Sequence, residues 1–116
     1  MAQTGSARGS ATTSIQADAD VVTLINIFTV APERQQDLVE LLDRATEETM
    51  RNLPGFVSAN IHRSLDGQHV ANYAQWRSEA DFRAMLANPE AQEHMRRSVE
   101  MARAEPVLYK VASVHR

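Results

Sequence analysis

Asn72 and Trp76, the only tryptophan of the chain, are the residues whose types and spacing point most directly to chemistry. They belong to the run VANYAQW, whose composition is typical of a β-strand. Side chains alternate along a strand, so Asn72, Ala74 and Trp76 share one face. A carboxamide and an indole with a small alanine between them leave room for a flat molecule. The sequence therefore predicts a binding surface for a small aromatic substrate on this face.

The other residue types that commonly do chemistry show no comparable arrangement. The chain has no cysteine, which excludes disulfides, thiolate nucleophiles and Cys-based zinc sites. None of its four histidines has metal-ligand spacing, and no Ser–His arrangement suits nucleophilic catalysis. We therefore expect no metal site.

Length and charge restrict the partners and the location. A chain of 116 residues corresponds to one domain, and a formal net charge of −3 makes nucleic acid an unsuitable partner. No stretch approaches the roughly 20 apolar residues that a membrane helix needs. The absence of cysteine suits a reducing compartment, so we expect a cytoplasmic protein.

The chain divides into a polar tail and a functional domain. Residues 1–20 are rich in Ala, Ser, Thr, Gly and Gln, and such a segment buries too little apolar surface to offset its ordering entropy. We therefore expect a flexible N-terminal tail, which could lie against a partner subunit. The domain proper is predicted for residues 21–116.

Periodicity within the domain indicates the order βαββαβ. Strands are predicted for Val21 to Val30, Phe56 to Arg63, His69 to Trp76 and Val107 to Val114. An amphipathic helix begins at Pro32 and ends near Asn52. Helical sequence from Ser78 to Ala104 breaks near Asn88-Pro89, and Ser78 suits an N-cap. This order is typical of an α+β, ferredoxin-like fold with helices on one face of an antiparallel sheet.

The first and last predicted strands are apolar on both faces. In the first strand Leu24 and Phe28 share one face, while Ile25 and Ile27 occupy the other. Helices can cover only one sheet face, and a monomer rarely exposes an apolar face of this size. Two such sheets packed face to face would cover it, so we expect a homodimer with a barrel-like centre.

Several motifs resemble the antibiotic biosynthesis monooxygenase family, small proteins of the dimeric α+β barrel superfamily. The pattern Trp76-x-Ser78-x-x-x-Phe82 is widespread there, and NYAQW at positions 72–76 is more specific, together with PGF at 54–56 and SxDG at 64–67. These motifs are similar to those of the quinone-forming members. The resemblance implies oxidation of an anthrone-like polycyclic phenol by molecular oxygen, with no cofactor.

The resemblance also implies roles for individual residues. Asn72 and Trp76 would hydrogen-bond a substrate oxygen, and an arginine of the last helix would stabilise the substrate anion. Both Arg96 and Arg97 fit that position, and Arg96 fits it better. The family's tyrosine after the tryptophan is Phe82 here, so the aromatic wall is kept but a hydroxyl for proton relay is lost. From residue type alone, a lone tryptophan also suits a core, and both arginines suit a solvated helix face.

Two other functions remain open. Haem-degrading relatives of this fold use an asparagine on the first strand and a histidine on the last helix, which resemble Asn26 and His94, beside a tryptophan whose position is Met85 here. These residues would line the same substrate cavity, although a neutral His94 packed against the second helix is the simpler interpretation. The third candidate is a non-catalytic dimeric protein that binds a small hydrophobic molecule.

Overall fold

A four-stranded antiparallel sheet with helices on one face forms the framework of the chain. The computed structural model describes residues 11–116, so the first ten residues of the predicted tail lie outside the described part. The elements in chain order are β1 (Val22–Val30), α1 (Gln35–Glu48), β2 (Phe56–Arg63), β3 (His69–Trp76), α2 (Glu79–Leu86), α3 (Pro89–Met101) and β4 (Ala102–Tyr109). Short 3-10 turns, Pro32–Arg34 and Met50–Asn52, flank α1. The strand order across the sheet is β2-β3-β1-β4, which confirms the predicted ferredoxin-like α+β architecture.

The last strand differs from its predicted position. It covers Ala102–Tyr109 instead of Val107 to Val114, and α3 ends at Met101. Pro106 was expected to stop the helical region, but it lies inside the strand opposite Asn26. A proline is tolerated there because β4 is an edge strand, where a missing N–H breaks no ladder on the outer side.

Local signals set the starts of α2 and α3. Ser78 caps α2, because its Oγ accepts the backbone N–H of Asp81 at 3.0 Å. Asn88 caps α3 in the same way, accepting from the N–H of Ala91 at 3.0 Å. The predicted break at Asn88-Pro89 is therefore confirmed.

A tight turn before β2 fits against the start of α2. Gly55 has a φ of 83°, a conformation that favours glycine, and its carbonyl accepts the N–H of Arg77 at 2.7 Å. A Cβ at Gly55 would lie 2.3–2.4 Å from the side chain of Asp81. The turn therefore joins the ends of β2 and β3 to α2 at one point.

The face of the sheet opposite the helices is partly covered by the N-terminal segment. Residues 11–20 contain no helix or strand, yet Thr13 donates to Asn60 Oδ1 at 2.6 Å and Gln75 donates to the Ser14 carbonyl at 2.9 Å. Beyond this contact, Val107 and Tyr109 are 48% and 47% exposed. The uncovered part of this face thus includes exposed apolar side chains at the β4 edge. No helix among residues 11–116 is long and apolar enough to cross a membrane.

Candidate functional site

A cavity of about 210 Å³ lies between the sheet and the helix layer. Its floor is formed by β1 and β3, and its walls by α1, α3 and the start of β4, through side chains such as Leu24, Leu42, Met95 and Pro106. Two larger hollows, of about 540 and 500 Å³, are lined mainly by charged and polar side chains. The apolar cavity with few polar groups is the better candidate site.

Two carboxamides face each other across the cavity floor. Asn26 of β1 and Asn72 of β3 are directly opposed in the strand register, and both line the cavity. The Oδ1 atom of each is buried and accepts no hydrogen bond from any described residue. Leaving a buried acceptor unpaired costs about 1–3 kcal/mol. The pair therefore marks where a bound molecule can supply the missing partners.

Trp76 lies two strand positions beyond Ala74 on the same cavity-facing side as Asn72, as alternation predicts. It is only 2% exposed, and its ring makes edge contacts with Phe56 at 5.6 Å and with Phe82 at 6.4 Å between centroids. These two rings hold the indole in one orientation. Phe82 is buried behind Trp76 and does not line the cavity, whereas Met85 does.

His94 of α3 also lines the cavity, as the sequence suggested. It is the one ionisable side chain among the described residues that form the cavity wall. Its Nε2 lies 3.1 Å from the hydroxyl oxygen of Thr49, a residue that is 4% exposed at the end of α1. Sequence reasoning missed this contact because it joins residues that are 45 positions apart.

The structure places Arg96 and Arg97 outside the cavity, which differs from the expectation that one of them enters it. Arg96 contacts Glu93 at 2.7 Å and Glu100, and Arg97 contacts Glu93 at 3.1 Å. Hydrogen bonds from Arg96, the larger contribution, and from Arg97 lower the pKa of Glu93 to about 2. Acidic residues three and four positions away thus hold both arginines on the solvent side of α3.

Further cavity-lining residues carried no chemical signal in the sequence. Most are apolar residues on helix faces whose pattern is typical of an ordinary core. One is Ser98, whose hydroxyl donates to the Met95 carbonyl at 2.8 Å. A helical period shows which side of α1 faces the sheet, but it does not show where packing leaves a void. No cluster of residues 11–116 could hold a metal ion.

Comparisons with known proteins identify the family of the chain. The family described as antibiotic biosynthesis monooxygenase matches residues 21–97. A tetracenomycin-F1 monooxygenase from Streptomyces glaucescens is 49% identical over 98 residues, which are 84% of this chain and 88% of the relative.

Two solved structures support the same assignment. The ActVA-Orf6 monooxygenase of Streptomyces coelicolor, in complex with nanaomycin D, is 32% identical with a TM-score of 0.73 over 84% of this chain and 91% of that one. A variant of SnoaB, a cofactor-independent oxygenase from Streptomyces nogalater, is 27% identical with a TM-score of 0.73 over 83% and 97% of the two chains. The chain therefore belongs to the antibiotic biosynthesis monooxygenase family.

Proposed function

We propose that this monooxygenase oxidises an anthrone-like polycyclic phenol to a quinone with molecular oxygen and without a cofactor. The opposed carboxamides of Asn26 and Asn72 in an apolar cavity are the observation that carries the proposal. A relative that acts on tetracenomycin F1, a neighbour in complex with nanaomycin D and a neighbour described as cofactor-independent support the substrate class and the chemistry.

Two adjacent carboxamides suit the edge of such a substrate. Each supplies an oxygen that accepts and an amide group that donates two hydrogen bonds. A phenol or ketone edge of a fused ring system presents hydroxyl donors beside carbonyl or phenolate acceptors. Asn26 and Asn72 can therefore bind both kinds of oxygen at once, and the indole N–H of Trp76 adds a further donor on the same strand face.

The reaction needs an electron-rich anion in a dry site. Ground-state oxygen is a triplet and reacts slowly with closed-shell molecules, but the deprotonated anthrone can transfer one electron to it. The resulting radical and superoxide recombine to a peroxide, and loss of water leaves the ketone of the quinone. Donors aimed at the oxygen where charge accumulates stabilise the anion, and the apolar walls strengthen those interactions by excluding water.

The active form is proposed to be a homodimer. Ile25 and Ile27 lie on the sheet face away from the helices, and Val107 and Tyr109 are about half exposed beside them. Packing this face against a second copy would bury it, as in a face-to-face pair of sheets. Sedimentation equilibrium at micromolar concentration should give twice the chain mass, and a stable monomer would contradict the dimer.

Oxygen consumption with a model anthrone tests the proposed reaction. Chelator-treated protein without visible absorbance should consume oxygen well above the buffer rate and release the quinone. Asn72→Ala and Trp76→Phe should each lower kcat, by about 10²-fold if they act as dedicated oxyanion-type donors. Asn52→Ala, an exposed residue outside the cavity, is the matched control and should retain wild-type turnover. Buffer-level rates for the wild type with several such phenols would refute the reaction.

A further inference from the structure

Removing a proton from the substrate requires an acceptor, and the cavity offers one candidate. Asn26, Asn72 and Trp76 supply hydrogen bonds but do not take up a proton at ordinary pH. His94 is the one ionisable side chain among the described residues that line the cavity. The charged residues of α3 nearest in sequence, Glu93, Arg96 and Arg97, pair with one another on the outside of the helix.

One ring nitrogen of His94 has a hydrogen-bond partner among the described residues, and the other has none. Nε2 lies 3.1 Å from Thr49 Oγ1, and this is the one hydrogen bond of the ring within residues 11–116. Thr49 is buried at the end of α1, so its hydroxyl sits at a defined place. If Nε2–H donates to this hydroxyl, Nδ1 keeps its lone pair for a proton from a bound molecule.

No charged group competes for that role from the neighbouring elements. The cavity residues of α1 are Leu42, Ala45 and Thr46, and α2 contributes Met85. The four strands contribute apolar side chains and the two asparagines. No carboxylate or cation of the described residues therefore faces His94 across the cavity.

We propose that His94 is the general base that deprotonates the substrate, and that Thr49 is a positioning residue that fixes its tautomer and orientation. This proposal rests on the proposed function. Nδ1 takes a proton from the methylene of the anthrone, and the electron pair of that C–H bond stays on the substrate as a delocalised anion. The anion transfers one electron to oxygen, and recombination forms the carbon–oxygen bond of a peroxide anion.

The same histidine completes the cycle. Its imidazolium returns the proton to the terminal peroxide oxygen, giving a hydroperoxide and neutral His94. Breakage of the O–O bond with loss of the second methylene hydrogen releases water and leaves the ketone. One molecule of oxygen is thus reduced to one ketone oxygen and one water, and no other reductant is needed.

The pH dependence of kcat/KM tests the proposal, because its acidic limb reports the essential base of the free enzyme. Wild-type kcat/KM should fall at acidic pH, where the essential base is protonated, and level off at higher pH. His94→Gln should lose about 10²-fold or more in kcat. The remaining rate of this variant should rise with hydroxide concentration and reach no plateau. Binding of the quinone product, followed by Trp76 fluorescence, should change little. Free imidazole should restore part of the rate of His94→Ala.

The positioning role has its own variants. Thr49→Val removes the hydroxyl at nearly constant volume, and it should lower kcat and shift the acidic limb without weakening product binding. Thr49→Ser keeps the hydroxyl and should therefore keep the wild-type kcat and acidic limb. A purely steric role of Thr49 would not predict this difference between serine and valine. Thermal unfolding of each variant separates loss of fold from loss of chemistry.

Two results overturn the assignment and are distinguishable. If the wild type oxidises anthrones but His94→Gln keeps its rate and pH profile, the base is not His94 and the proposed function stands. If the wild type has no activity towards anthrones, the proposed function and this inference fall together. If both His94 variants fail to fold, Thr49→Val provides the test. An unchanged pH profile in folded Thr49→Val would contradict the assignment of His94 as base and Thr49 as its positioning residue.

Discussion

Replacing Asn72 with leucine should make the protein more stable and inactive. The Oδ1 of Asn72 is buried without a partner among the described residues, and it faces Asn26, which has the same deficiency. An unpaired buried acceptor costs about 1–3 kcal/mol, and leucine of similar size fills the same space without that cost. A change of 1 kcal/mol shifts Tm by roughly 4 °C for a domain of this length. Asn72→Leu should therefore raise Tm by roughly 4–12 °C.

Differential scanning calorimetry at one fixed protein concentration measures this effect, and fixed concentration matters because a dimer's Tm depends on it. Asn60→Leu is the matched control on the neighbouring strand. The Asn60 side chain accepts from Thr13 at 2.6 Å and donates to the Tyr73 carbonyl at 3.0 Å, so its removal takes one hydrogen bond from each partner. Asn60→Leu should lower Tm, while Asn72→Leu raises it.

The outcome also distinguishes a binding site from ordinary core. A residue kept at the expense of stability is expected where function requires it. If Asn72→Leu destabilises the protein as much as Asn60→Leu does, its carboxamide is satisfied in the folded protein and the central argument for the site fails. If it stabilises the protein and retains turnover, the stability argument stands but Asn72 has no part in catalysis.

Three further predictions concern the turns, α3 and the uncovered sheet face. Gly67→Ala should lower the free energy of unfolding by about 1–2 kcal/mol through its positive φ alone, since the added Cβ would lie 3.5 Å from its nearest neighbour. Gly55→Ala should lower it further, because the added Cβ would clash with Asp81. Urea unfolding measures both losses. Arg96→Gln should leave anthrone turnover close to wild type and raise the pKa of Glu93 above its present value of about 2, as followed by carbonyl NMR; a large loss of kcat would return Arg96 to the site. Val107→Lys should shift the sedimentation profile towards monomer, and an unchanged profile would move the proposed interface elsewhere.

Much of the fold could be predicted from sequence because its signals are local. The cap at Ser78 and the break at Asn88-Pro89 depend on neighbouring residues, and both appear as predicted. The last strand was misplaced because Pro106 is a reliable helix breaker but not a reliable strand breaker. Whether a proline fits a strand depends on the strand being at an edge, which is a property of the whole sheet.

The site was partly predictable for a similar reason. Strand alternation places Asn72 and Trp76 on one face without knowledge of other elements. The opposition of Asn26 to Asn72 depends on the β1–β3 register, and the contact of His94 with Thr49 depends on how α3 packs on α1. The orientation of Arg96 depends on its competition between the cavity and the nearby carboxylates of Glu93 and Glu100. Such long-range or competing contacts leave no periodic pattern.

The absence of a cation from the described cavity wall is consistent with the chemistry proposed for it. An arginine inside would bind an already ionised phenol strongly before the reaction, and binding that is equal in the ground state and the transition state does not raise kcat. Neutral donors from Asn26, Asn72 and Trp76 gain most where charge accumulates during proton removal. With His94 as the proposed base, the imidazole gains a positive charge only as the substrate becomes negative. Attraction between the two therefore appears in the transition state and disappears when the proton returns, so the neutral quinone is not retained by charge.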